Sequence, residues 1–112
     1  MKMYKNLEIV CYVTNQIGPG WRHVLTDMLE QLDSLGCRLC ITDIQKKFGA
    51  LRVSYAVLDQ CHLAQNAKLI VEKAERLAAA TCWHCAAGSE GIFYSQSADE
   101  YYALCAQHRA KN

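Results

Sequence analysis

Cys82-Trp83-His84-Cys85, then nineteen residues, then Cys105-Ala106-Gln107-His108: this stretch organises the chain. A Cys-x-x-Cys turn aims two thiolates at one point, and a second pair from a distant segment closes a tetrahedron around it. Zinc takes sulfur and imidazole ligands and imposes no d-electron geometry, and paired spacings of this kind mark such sites. Cys82, Cys85, Cys105 and His108 are therefore the expected ligands of one Zn2+. Four protein ligands leave no open position for water or substrate, so the ion is expected to be structural. The alternative is four buried, unligated side chains, because free Cys is among the most buried residue types. His84 is a rival ligand inside the first pair, but His108 has the better i, i+3 partner in Cys105.

At 112 residues the chain has room for one domain. We read 1–81 as an α+β core and 82–112 as a zinc-binding element. The composition is globular, 52% hydrophobic and 21% charged, with one proline and no low-complexity tract. No stretch has the apolar length to cross a bilayer. Leu7 to Val13 contains Glu8 and lacks a small-residue cleavage site, so no export signal is expected. Seven cysteines then fit a reducing cytoplasm with metal-bound and buried thiols. A net charge of +1 argues against a general nucleic-acid binder. Locally, Arg38, Lys46, Lys47 and Arg52 face only Asp43 between Gly36 and Leu58, an excess that suits an acidic partner or phosphates, or is simply a solvated hairpin face.

Leu7–Val13 carries β-branched and aromatic residues and reads as a strand, with an early helix as the competing possibility. Gly18-Pro19-Gly20 punctuates a turn. Trp21, Val24, Leu25, Met28, Leu29, Leu32 and Leu35 recur at helical steps, and Gly36 follows as a stop. Arg38 to Leu58 reads as a hairpin: Leu39 and Ile41 alternate, an irregularity precedes Ile44, Phe48-Gly49-Ala50 turns, and Leu51, Val53, Tyr55 and Val57 alternate again. Asp59 is placed to cap a second helix reaching Ala80, with Leu63, Ala67, Ile70, Ala74, Leu77 and Ala78 inward. Its alanines admit a close neighbour, either the first helix or a second copy of the chain through 60–80. Ile92-Phe93-Tyr94 reads as a short strand. Ser97-Ala98-Asp99-Glu100 has the form of a capping box, which predicts a last helix carrying Tyr101, Leu104, Cys105 and His108 on one face. The fold class is thus α+β: a small antiparallel sheet packed by two long helices, with a zinc-ribbon-like end that finishes in a short helix.

Cys37-Arg38-Leu39-Cys40 is a second Cys-x-x-Cys. Ordinary packing is the favoured reading. A metal site with Cys11, Cys61 or His62 and a redox pair are the alternatives. No Gly-rich phosphate loop, Gly-x-Ser-x-Gly elbow or His-Glu-x-x-His is present, and Cys61-His62 adjacency is not a catalytic dyad. The chain is expected to be non-enzymatic.

Gly18-Pro19-Gly20-Trp21, Ile44-Gln45-Lys46-Lys47-Phe48-Gly49-Ala50-Leu51-Arg52, and Cys82-x-x-Cys85 with Leu104-Cys105-x-x-His108 together resemble a family of small zinc-ribbon-like proteins of bacteria, phages and prophages. The resemblance spans roughly residues 18 to 108. It departs at Ala50 and at Ala86, where the family has glycine. It implies a fold and a metal site, and no shared reaction. With it, the expected role is a protein-binding module of phage or mobile-element origin, such as a counter-defence inhibitor of the anti-CRISPR type. The module would occupy a host protein or protein complex in the cytoplasm through Lys46, Lys47, Phe48 and Arg52. The alternative is a nucleic-acid-binding zinc module using the basic hairpin 38–52, whose affinity would fall with salt.

Overall fold

The computed structural model describes residues 4–10 and 17–111. Of the segment expected as the first strand, Leu7–Ile9 forms β1, and residues 11–13 lie outside the described residues, as does Cys11. A 3-10 turn, Pro19–Trp21, leads into α1, Arg22–Ser34. Strands β2 (Leu39–Lys47) and β3 (Ala50–Val57) form the hairpin, and α2 spans Ala64–Ala79. Strands β4 (Ile92–Ser95) and β5 (Glu100–Ala103) make a separate ribbon, followed by α3, Ala106–Ala110. The architecture is α+β.

The three-stranded sheet has the order β1-β2-β3 and is mixed, because β1 runs parallel to β2 while β2 and β3 are antiparallel. The crossover through α1 is long enough for a parallel return. The expected irregularity before Ile44 is a bulge. Ile41 pairs with Tyr55 and Asp43 with Ser54, so Thr42 is the extra residue. Without it, Ile41 and Ile44, three apart, would point to opposite faces; with it, both are buried. They join Leu39 and Leu51 under α1, whose Val24, Leu25, Met28, Leu29 and Leu32 are buried as the periodicity predicts. Gly36 follows at a φ of 79°. Ala67, Val71, Ala74 and Ala78 form the buried stripe of α2. The alanines let α2 sit close to α1 and β3 within the chain. Leu77, expected inside, is exposed, and Val71 takes its place. Glu75, expected on a solvated face, accepts the Val53 N–H at 3.2 Å and so caps the edge strand β3.

Three expectations need correction. Asp59 does not cap α2: its carboxylate accepts the Arg38 N–H at 3.2 Å, and the helix starts later, after Leu63. Ser97–Glu100 opens no helix. Residues 96–99 turn between β4 and β5, with Asp99 at a φ of 54° and Ser95 paired to Glu100. The Ser-x-x-Glu pattern is local, whereas strand pairing of Tyr101 and Tyr102 with Tyr94 and Phe93 is tertiary, and the pairing wins. Finally, Cys37 is joined to Cys61 by a disulfide with Cα atoms 5.6 Å apart, so Cys37 is not simply packed. Cys40 stays a free thiol on β2. No described helix is long and apolar enough to cross a membrane.

Candidate metal centre

Helix α2 ends at Ala79, and the chain turns at once into Cys82–Cys85. The turn is held by the Ala86 N–H to the Cys82 carbonyl at 3.1 Å and by the Cys82 N–H to the Ala87 carbonyl at 2.7 Å. To close in this way it takes Ala86 into left-handed backbone, φ 69°. The β4–β5 ribbon is tied to the turn by the Trp83 N–H to the Ala103 carbonyl, 2.8 Å. That bond sets Leu104 and Cys105 beside the first pair. Cys105 is the N-cap of α3, and one helical turn later His108 points back.

The four ligand atoms of Cys82, Cys85, Cys105 and His108 lie within 4.8 Å of one another. Cys85 and Cys105 sulfurs are 3.6 Å apart, and His108 Nδ1 is 3.6 Å from the Cys82 sulfur and 3.2 Å from that of Cys105. A tetrahedron with sulfur about 2.3 Å from its centre has edges of about 3.5–3.8 Å, so the spacing fits one bound ion. The cluster could hold a metal. His84 is outside it, with its ring 5.0 Å from that of His108.

The two thiols of the first pair are shifted in opposite directions. Burial works against ionisation of Cys82, but the N–H groups of Cys105, His84 and Cys85, with the Cys105 thiol, outweigh it and lower the Cys82 thiol. The Ala87 N–H acts the same way on Cys85, yet desolvation and the neighbouring sulfurs of Cys105 and Cys82 raise that thiol overall. Crowded thiolates repel, and a divalent cation between them removes the conflict.

The remainder of the chain is fitted to this centre. A side chain at Gly20 would collide with the Cys82 carbonyl, and one at Gly18 with the Trp83 ring. These glycines let the start of α1 lie on the Cys-x-x-Cys turn, where the Gly20 N–H reaches the Trp83 carbonyl at 2.8 Å. Trp21 is buried, packs edge-on to Trp83 at 4.8 Å, and donates its indole N–H to the Thr81 carbonyl at 2.9 Å.

At the hairpin end, Lys46 and Leu51 pair on the covered face of the sheet, while Lys47 and Arg52 fall on the open one. The Lys46 side chain is only 8% exposed. Its ammonium meets the Glu100 carboxylate at 3.2 Å and the Tyr101 carbonyl at 3.0 Å, and lies 4.1 Å from the centre of the Tyr102 ring. Lys46, grouped by sequence with Lys47 and Arg52, is thus turned inward, because successive strand residues alternate sides. Phe48 and Gly49 form a two-residue turn with φ of 51° and 82°, between the paired Lys47 and Ala50. Ala50 itself lies in β3 and is not among the positive-φ residues. Phe48 is 74% exposed and faces Tyr101 edge-on at 6.2 Å. From sequence Trp83 and Tyr102 were given no role, and Glu100 only that of a capping-box residue. Trp83, inside the Cys pair, was the available signal.

Comparison of the chain with family models, with curated proteins and with solved structures finds no match.

Proposed function

We propose that the chain is a non-enzymatic, zinc-stabilised protein-binding module whose contact surface is the β2–β3 tip with the flanking β4–β5 ribbon. The observation that carries this is Phe48. A two-residue turn with both φ positive favours Asn-Gly, and a bulky side chain in left-handed backbone costs about 1–2 kcal/mol. Phe48 is nonetheless there, exposed, where it serves neither turn nor core. Ile92, Tyr94 and Tyr101 extend the exposed apolar surface beside it, and patches of this kind mark protein contacts. Lys47 and Arg52 border it on the open face.

Zinc is the ion that best suits three sulfurs and one imidazole in this geometry, and with all four positions filled by protein it supports structure. The setting we propose rests on the resemblance to small phage and prophage proteins: counter-defence inhibition of the anti-CRISPR type, by occupying a host protein.

Affinity capture from host lysate, with and without nuclease, tests the reading. A host protein is expected to be retained in stoichiometric amount after nuclease and lost with Phe48→Asn. Retention unchanged by Phe48→Asn together with Lys47→Glu and Arg52→Glu would remove the assignment. Recovery that disappears with nuclease would move it to nucleic acid.

A further inference from the structure

Beside the metal centre is a cavity of about 240 Å³, lined by His84, Ser95, Ser97, Tyr102, His108 and Lys111. Ser95 is buried, 4% exposed. Its hydroxyl lies 3.2 Å from that of Ser97. In such a pair one hydroxyl donates to the other, and the second hydrogen remains for a third group. His108 turns Nδ1 to the sulfurs. With a metal on Nδ1, Nε2 would carry the proton, and a metal-bound imidazole ordinarily donates that N–H to a carboxylate, a carbonyl or water. Among the described residues no such protein acceptor is bonded to it. Lys111 is a cationic residue of the lining, and no Asp or Glu lines the cavity. The Tyr102 hydroxyl is already committed, donating to Glu100 at 2.9 Å.

The walls therefore offer donors and a cation and no carboxylate. We propose that this cavity is a binding site for a phosphate group, held by Ser95 and Ser97, the imidazole N–H groups of His84 and His108, and Lys111. An acceptor-only, compact, charged group is what such a set satisfies, since donors to an ionised oxygen form the stronger hydrogen bonds. The proposal rests on the metal-centre reading, because the bound ion is what fixes His108 as an Nδ1 ligand with its Nε2–H outward.

The test is a 1H–15N NMR titration of the zinc-loaded protein with inorganic phosphate at constant ionic strength, with zinc content measured on the same sample. Saturable shifts confined to residues 84, 95–98 and 108–111 are expected. Ser97→Ala and Lys111→Gln should each weaken binding about tenfold while zinc content stays the same. Parallel titrations with phosphoserine and a nucleoside 5′-monophosphate identify the source, and tighter binding of either supports the site. Shifts that do not saturate, that acetate reproduces, or that both variants leave unchanged overturn it. A sample without zinc would instead overturn the metal reading.

Discussion

Ala86 and Phe48 are both L-residues in left-handed backbone, and the two call for opposite explanations. Ala86 is at the position where the turn must fold back for its N–H to reach the Cys82 carbonyl. Nothing about an alanine helps there. Ala86→Gly is expected to raise stability by about 0.5–1 kcal/mol, the relief of left-handed strain less the added entropy of glycine, measured as a higher denaturation midpoint with zinc bound. Phe48→Asn should also stabilise, by about 1 kcal/mol, while abolishing partner capture. A variant that gains stability and loses binding separates function from fold in one measurement. The sequence drew attention to missing glycines at both 50 and 86. Only backbone angles distinguish them: Ala50 sits in a strand that any residue can enter, and Ala86 does not.

At the scale of elements, the hairpin and the ribbon are joined through Lys46. Replacing it with Met keeps the apolar stem and deletes the ammonium. Lys46→Met is expected to cost about 1–2 kcal/mol, since it leaves the Tyr101 carbonyl and the Glu100 carboxylate without this donor. The contact also has a pH signature. The Tyr102 hydroxyl, then Lys46, hold the Glu100 carboxyl below its usual range. Its contribution is therefore complete above the unfolded carboxylate value and is lost as pH falls through the lower folded one. The acid limb of a stability–pH curve should be shallower in Lys46→Met than in the parent. Helix α1 and the β2–β3 hairpin were legible because their apolar residues repeat at fixed steps over many positions. The ribbon's second strand was not. Four residues, Glu100–Ala103, carry too little periodicity to oppose a local capping pattern, and only their partners across the turn decide the matter.

The whole molecule is elongated, 47 × 22 × 21 Å, with one disulfide cross-link and a cluster that could supply a second by holding a metal. The disulfide lies before the start of α2 and the metal centre after its end, and sixteen residues of helix separate them by about 24 Å. Cys37→Ser with Cys61→Ser should cost about 3 kcal/mol through the loop it opens and leave one zinc per chain. Chelation should act at the other end: hydrogen-exchange protection is expected to fall first across residues 82–108, with the β2–β3 sheet following only as the tip loses its support. The clustering of Cys82, Cys85, Cys105 and His108 was readable because a short spacing brings each pair together whatever the fold. Cys37 and Cys61 come from a strand entrance and a loop that only the packed α2 brings within reach. A disulfide and the proposed zinc centre in one chain would impose an order of maturation. The disulfide needs an oxidant, while Cys82, Cys85 and Cys105 must stay thiolates to hold an ion. Zinc captured first would withdraw those three sulfurs from exchange and leave Cys11, Cys37, Cys40 and Cys61 as the thiols among which the disulfide forms. Oxidative refolding with zinc present from the outset should give fewer mispaired isomers than adding zinc only after oxidation.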